Sequence, residues 1–414
     1  MPRALELFDD ALADELAEFY KDLHRDPELS FQENRTASRV VTAVEALGCE
    51  VTAGVGKTGV VAVLRNGKGP VIMLRADMDA LPVREETGLP YASNAFGVDP
   101  AAGEVPVAHA CGHDMHVTCL LGALTLLSRT RESWAGTVLA VFQPAEELAG
   151  GAAAMVADGL FERFPVPLVV LAQHVSPLPA RVIGHRSGAF MAASDSVAVT
   201  LHGRGGHASA PELTIDPVLM AAAAVVRLQS IVAREVSMQD EAVVTVGRMQ
   251  AGLKDNVIPD TAELGINIRT YDPRIRERVR AAVERVIRAE AAAAGAEKEP
   301  DFEWAHAAPV LVNDPEAMAV TIGALTANFG AERIMQLPPV PASEDAGVFG
   351  QALGVPTAYW MWGGGDPDEF ARVLAEGRMP VANHHPGYAP VLEPALRAGV
   401  EAMTVVALAW LDEA

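Results

Sequence analysis

Thr137-Val138-Leu139-Ala140-Val141-Phe142 runs without a break into Gln143-Pro144-Ala145-Glu146-Glu147. Five successive apolar residues after Thr137, with no polar alternation, predict a strand covered on both faces, and such strands belong to largely parallel sheets sandwiched by helices. Residues 168–172 repeat the pattern and end in Gln173-His174. Residues 60–64 and 71–74 are shorter runs of the same kind, the second ending in Arg75-Ala76-Asp77-Met78-Asp79. Helical periodicity falls between them, over 5–24, 34–47 and 114–129, the last with Leu120, Leu121, Leu124 and Leu127 on one face. Strands alternating with helices predict an α/β fold.

From Ser194 the texture changes. Val197, Val199 and Leu201 alternate with small or polar residues, as do Ala262, Leu264, Ile266 and Ile268, so these strands bury one face. Asp216-Pro217 and Asp272-Pro273 each pair a capping residue with a first-turn proline, opening helices over 216–235 and 272–295. With strands at 243–249 and 302–307, the order is β-α-β-β-α-β, a ferredoxin-like module. The α/β texture then resumes, with a strand at 356–362 and a helix at 393–411. Residues 1–187 and 308–414 are therefore expected to form one discontinuous domain, and 188–307 an inserted α+β domain placed to act as a lid.

At 414 residues the chain is long enough for two cores. Its 32 basic and 54 acidic residues leave a net charge of −22, which argues against nucleic acid as a partner. The first ten residues carry acid where a leader would be apolar, and no run approaches the roughly 20 apolar residues of a membrane helix. Three cysteines, Cys49, Cys111 and Cys119, do not make a disulfide framework. A reducing, cytoplasmic setting is expected, with a thiol free to bind metal.

The polar clusters fall where predicted strands run out, and in open α/β sheets ligands bind beyond the carboxyl ends of strands. To them is added His109-Ala110-Cys111-Gly112-His113-Asp114, in a loop opening a helix. Taken singly, a buried cysteine is usually core, a histidine at a strand end is usually just hydrogen-bonded, and neighbouring glutamates are usually solvated. Together they supply a thiolate, imidazoles and paired carboxylates, the ligands of zinc or a similar divalent ion. Cys111 and His113, one glycine apart, can reach one ion. Glu146 and Glu147 point different ways, so one can bind metal while the other acts as general base on a water.

These residues carry a resemblance. With residues 23–29, Gly203 to Pro211, Asn256-Val257-Ile258-Pro259 and Ser343-Glu344-Asp345, the chain resembles the co-catalytic metallohydrolase family of aminoacylases and carboxypeptidases. Within it, the Ala-Cys-Gly-His-Asp cluster is similar to the amidohydrolase branch of hippurate hydrolases, auxin-conjugate hydrolases and N-acyl amino acid aminoacylases. The resemblance implies a mixed-sheet, metallopeptidase-like catalytic domain with a ferredoxin-like lid and dimerisation domain. It implies two divalent ions, zinc first with manganese or cobalt as alternatives, on Cys111, His113, Glu147, His174 and His384. The motif His, any residue, Pro selects His384 over His385. Glu146 matches the general base, and Asp77 and Asp79 match supports behind the ligands. His207 matches a lid histidine that reaches the scissile carbonyl, from the neighbouring subunit in dimeric relatives. Asn256 and Arg269 match positions that hold the substrate carboxylate, and Gly363 and Gly364 are expected to add backbone N–H donors to the same anion.

The implied reaction is hydrolysis of an N-acyl-L-amino acid, hippurate-like or N-acyl-glutamine, by a homodimer or dimer of dimers. A dipeptidase or carboxypeptidase on the same scaffold, or a non-catalytic metal-binding protein, are the alternatives. His24, His109 and His116 are expected to be hydrogen-bonding neighbours rather than ligands.

Overall fold

The computed structural model describes residues 3–305 and 307–412. Contacts divide the chain into two compact units: Met1–Gly188, Val312–Pro338 and Asp345–Ala414 form the first, and Ala189–Leu311 with Pro339–Glu344 the second.

The first unit is built on an eight-stranded sheet. Its order is Glu50–Val55, Gly59–Asn66, Gly136–Gln143, Val71–Asp77, Val170–Pro179, Thr357–Gly365, Ile183–His185 and Ile334–Gln336. The central strand Val71–Asp77 is parallel to both neighbours, and Thr357–Gly365 is parallel to Val170–Pro179. Gly59–Asn66 and Ile183–His185 run antiparallel to their central neighbours, so the sheet is mixed.

Successive residues of the central strands feed opposite cores. Ile72, Leu74, Val138, Ala140 and Phe142 join one, and Met73, Leu139, Val141 and Val170 the other. Two covered faces explain the unbroken apolar runs in the sequence. Helix His113–Arg129 lies against the sheet and against Asp10–Arg25 and Leu392–Asp412, and is buried almost all round.

The helix expected over 5–24 is two helices, Arg3–Glu6 and Asp10–Arg25. Asp9 breaks it by turning its carboxylate onto the Leu12 amide at 2.9 Å as an N-cap. Likewise the strand expected at 168–172 starts at Val170 and continues to Pro179.

The second unit has a four-stranded antiparallel sheet in the order Ala242–Ala251, Thr261–Thr270, Ala193–His202, Asp301–Trp304. Helices Pro217–Glu235 and Pro273–Ala293 pack on it, each capped by its aspartate, Asp216 or Asp272. This is the ferredoxin-like arrangement. His306, inside the expected closing strand, lies outside the described residues. Two stretches, Pro217–Glu235 and Leu392–Leu411, are long and apolar enough to cross a membrane. The second is 78% buried within the protein, and the first lays Met220, Ala224, Leu228 and Ile231 into the core of its own unit.

One buried charge ties the first unit together behind its sheet. His24 Nδ1 lies 2.6 Å from Asp114 Oδ2 and its Nε2 3.0 Å from Glu85 Oε1, all three side chains being buried. Burial alone would lower the imidazole, but Asp114 and then Glu85 outweigh it and hold His24 up to about 10. A pKa raised above its unfolded value of ~6.5 stabilises the fold fully below that pH, and the contribution is lost as pH climbs toward 10. The melting-temperature gap between wild type and His24→Gln should therefore be widest near pH 6 and narrow steadily to pH 9.5 in circular-dichroism melts. A gap that ignores pH would mean that His24 is neutral in the fold.

Candidate metal centre

The strand Gly136–Gln143 ends at a turn that carries the two glutamates. Ala145 (φ 49°) and Ala149 (φ 50°) adopt left-handed backbone, and Gly151 closes so tightly that a Cβ would lie 1.5 Å from the Pro144 carbonyl oxygen. Buried carboxylates hold this turn by its amides. Asp79, just beyond the end of Val71–Asp77, accepts the amides of Glu146 and Glu147 at 3.1 Å each, and the Ser30 hydroxyl at 2.6 Å. Glu33 accepts the Ala145 amide at 2.8 Å and the Thr58 hydroxyl. Burial, and then the charge of Asp79, push Glu33 up to about 7.

Hydrogen bonding sorts the histidines. His113 Nδ1 donates to the Asp79 carbonyl at 2.9 Å, and His174 Nδ1 donates to the Val175 carbonyl at 2.6 Å. Each ring keeps a free Nε2 lone pair, as a metal ligand requires. His174 Nε2 lies 3.5 Å from Cys111 Sγ. His116 sits in the same cluster with Asp77, His113 and His174, but its Nε2 accepts the Val175 amide at 2.9 Å and its Nδ1 donates to Asp77. It has no lone pair left for an ion.

Around the free nitrogens the donors converge. Cys111, His113 and Glu147 offer atoms all within 4.8 Å of one another. His113 Nε2 is 3.9 Å from Glu147 Oε1 and from Glu146 Oε2, and His384 Nε2 is 3.3 Å from Glu147 Oε1. His113 Nε2 and Glu147 Oε1 are buried and make no well-formed hydrogen bond. Such orphans are rare in folded proteins unless an ion or water satisfies them. The Cys111 thiol and then the Glu147 carboxylate hold His384 up to about 10, while burial and Glu147 push the Cys111 thiol up. A divalent cation at this point relieves both, replacing the imidazole proton and stabilising the thiolate. The donor set fits metal.

Supports surround the donors. Arg75, fully buried, donates to Gln143 at 2.8 Å, to Asp77 at 2.8 Å and to Asp345 at 3.2 Å. Asp345 also accepts from Gln143 and from the Ala152 amide. Asn383 donates to the Cys111 carbonyl at 3.0 Å, and the His384 amide donates to the Ala110 carbonyl at 2.7 Å, which anchors a histidine whose own φ is 72°. Glu33, Ser30 and Asn383 were not legible as site residues, because nothing local signals which distant backbone their side chains meet.

The glycines after Trp362 need a correction. Gly363, expected to offer its amide to a substrate anion, donates it to the Val182 carbonyl at 2.8 Å within the fold. It is glycine for room: a Cβ there would lie 1.8 Å from the Pro179 carbonyl oxygen. Gly364 accepts from the Val391 amide through its carbonyl.

In the second unit, the two-residue strand Gly206–His207 pairs with Val257–Ile258, and the Ala208 amide donates to the Asn256 carbonyl at 3.1 Å. His207 and Asn256 are thereby neighbours on one ribbon. Exposed His207 accepts the Ser209 amide at Nδ1, which leaves the proton on Nε2. Arg269 is half-buried and donates to Asn267 at 3.0 Å and to Ser343.

Metal analysis after equilibration with Zn2+ should find two ions per wild-type chain. Cys111→Ala and His113→Ala should each fall short of that ratio, and His116→Gln should match wild type. Loss of an ion from His116→Gln would make its imidazole a ligand.

Comparison with known proteins shows the family. The signature of the peptidase family M20/M25/M40 matches residues 73–404. The chain is 40% identical to hippurate hydrolase of Campylobacter jejuni over 79% of its length and 82% of that protein. It is 38% identical to N-acetylcysteine deacetylase of Bacillus subtilis over 74% of its length and 78% of that protein. The crystal structure of a Bacillus subtilis protein described as a dinuclear metal binding peptidase from the M20 family matches with a TM-score of 0.78 at 30% identity, covering 98% of this chain and 99% of that one. With a donor set suited to two divalent ions, the chain is an amidohydrolase and belongs to the peptidase family M20/M25/M40.

Proposed function

We propose that the enzyme hydrolyses N-acyl-L-amino acids to a carboxylic acid and a free amino acid. The observation that carries this reading is the turn at 144–151, which holds Glu147 among the metal donors and Glu146 beside them, 3.9 Å from His113. Both relatives named above are described as acting on an acylated amino acid. Two divalent ions, zinc first with manganese or cobalt as alternatives, would polarise the amide carbonyl and acidify an attacking water. Cys111, His113, Glu147, His174 and His384 would hold them.

Glu146 takes the proton of the attacking water and returns it to the leaving amine. His207, whose Nδ1 accepts the Ser209 amide, donates from Nε2 to the oxygen of the tetrahedral intermediate, where a placed donor is worth most. Arg269 and Asn256, with the Gly364 backbone, hold the substrate carboxylate; a guanidinium does so through paired, charge-assisted bonds. Asp77 and Asp79 orient the ligands.

The second unit serves as lid and as the contact with a second copy of the chain. The edge strand Ala242–Ala251 is paired on one side alone among the described residues, and Leu219 and Val226 on the adjacent helix are 70% and 75% exposed. A homodimer would cover both, and sedimentation should give twice the chain mass of 43.6 kDa. A reducing, cytoplasmic setting suits a site that depends on the Cys111 thiolate.

Glu146→Gln should keep its metal and lose kcat by about 10²–10⁴-fold. Loss of metal instead would exchange the roles of the two glutamates. Wild type should turn over hippurate-like acids but not their carboxamides, and Arg269→Ala should cost the acid a similar factor in kcat/KM. Equal turnover of acid and carboxamide, or a preference for dipeptides with a free amine, would overturn the substrate class.

A further inference from the structure

Three successive amides, those of Ala145, Glu146 and Glu147, point at two buried carboxylates. Asp79 takes the second and third, and Glu33 takes the first. Glu33 comes from a separate stretch, the residue before helix Asn34–Ala46. A residue there ordinarily caps its own helix, but the Glu33 side chain makes no such bond and turns instead to Ala145. It is wholly excluded from solvent.

Its target is the residue where the chain reverses. Ala145, at φ 49°, is in a conformation that L-residues hold only when their surroundings enforce it. The enforcement comes from both sides: Gly150 and Gly151 donate to the Ala145 carbonyl at 3.3 and 3.1 Å, and Glu33 accepts from its amide. The direction in which Glu146 and Glu147 leave the turn follows from that reversal.

We propose that Glu33 is a positioning residue for the catalytic pair, holding the Ala145 amide so that Glu147 meets the metal donors while Glu146 faces the reacting water. The proposal rests on the roles given above to Glu146 and Glu147. What matters is an acceptor oxygen at this reach, whatever its charge. The value of about 7 for Glu33 agrees, since the carboxyl carbonyl oxygen can accept the amide in either ionisation state.

Two near-isosteric variants separate reach from charge. Glu33→Gln keeps an acceptor oxygen in place and removes the charge. Glu33→Asp keeps the charge and withdraws the oxygen by about 1.5 Å, from 2.8 Å to beyond hydrogen-bonding range. The readouts are the apparent Kd for Zn2+ by chelator competition, and kcat and KM on a hippurate-like substrate, each on protein shown to be folded by its melting curve. Glu33→Gln should stay within about threefold of wild type in all three. Glu33→Asp should weaken Zn2+ binding, lower kcat, or both, by about 10–100-fold with KM within about threefold, the usual consequence of losing a support behind a metal ligand.

A folded Glu33→Asp enzyme with wild-type Kd and kcat overturns the proposal. So does a Glu33→Gln enzyme that loses tenfold or more, and that arm decides alone if the Asp variant does not fold. Glu147→Ala, measured alongside, isolates the underlying reading. If it binds Zn2+ like wild type, the ligand assignment fails. If it loses Zn2+ while Glu33→Asp does not lose Zn2+ or kcat, the positioning claim alone fails.

Discussion

A carboxylate sealed from water has to be given hydrogen-bond donors, or it will not stay charged. Asp79 is sealed in this way, and its four donors are drawn from three places: two backbone amides of the glutamate turn, the Ser30 hydroxyl and the His113 ring. Satisfying one buried charge therefore fixes the loop after helix Asp10–Arg25, the end of a central strand, the start of helix His113–Arg129 and the turn bearing Glu146 and Glu147. Asp77 repeats the device two residues earlier, between Arg75 and His116. The ligands hang on this scaffold, and its rigidity becomes theirs.

The same scaffold explains why the centre calls for cations. Asp77, Asp79, Glu146, Glu147 and Asp345 gather around one end of the sheet, with the Arg75 guanidinium buried among them. Their negative excess is held where water screens little, and His113 Nε2 and Glu147 Oε1 are buried there without a well-formed hydrogen bond. Divalent ions supply what the side chains lack, which is positive charge at a fixed point.

Of the expected donors, Glu147 and His174 were legible because they stand just past or on neighbouring strands of one sheet, whereas Cys111 and His113 open a helix and His384 lies in a loop, so their approach was implied by the resemblance alone. The fold was legible for a similar reason: unbroken apolar runs mark strands covered twice, and alternating ones mark strands covered once. What stayed hidden depends on partners far along the chain. His116 reads as a neighbour and not a ligand, but its partners stay hidden: it lies one turn from His113 on the same helix, and only the structure shows that it is bonded to Val175 and Asp77. Gly363 reads as an anion-binding glycine until its amide is seen bonded to Val182. Asp9 reads as the interior of a helix until its side chain is seen capping the next one.

The position of Asp345 has a consequence for synthesis on the ribosome. It follows the inserted unit in the chain and binds Arg75 across 270 residues. At about 5–20 residues per second, the guanidinium of a nascent chain waits roughly 15–50 s for that partner. Until then the buried guanidinium has Asp77 and Gln143 but lacks its second carboxylate, which weakens closure of the central sheet. The inserted unit, whose sheet and helices lie together within Ala189–Leu311, can fold during the interval. The expected order of assembly is thus inverted relative to the chain: the middle folds first, and the two ends close the catalytic unit afterwards.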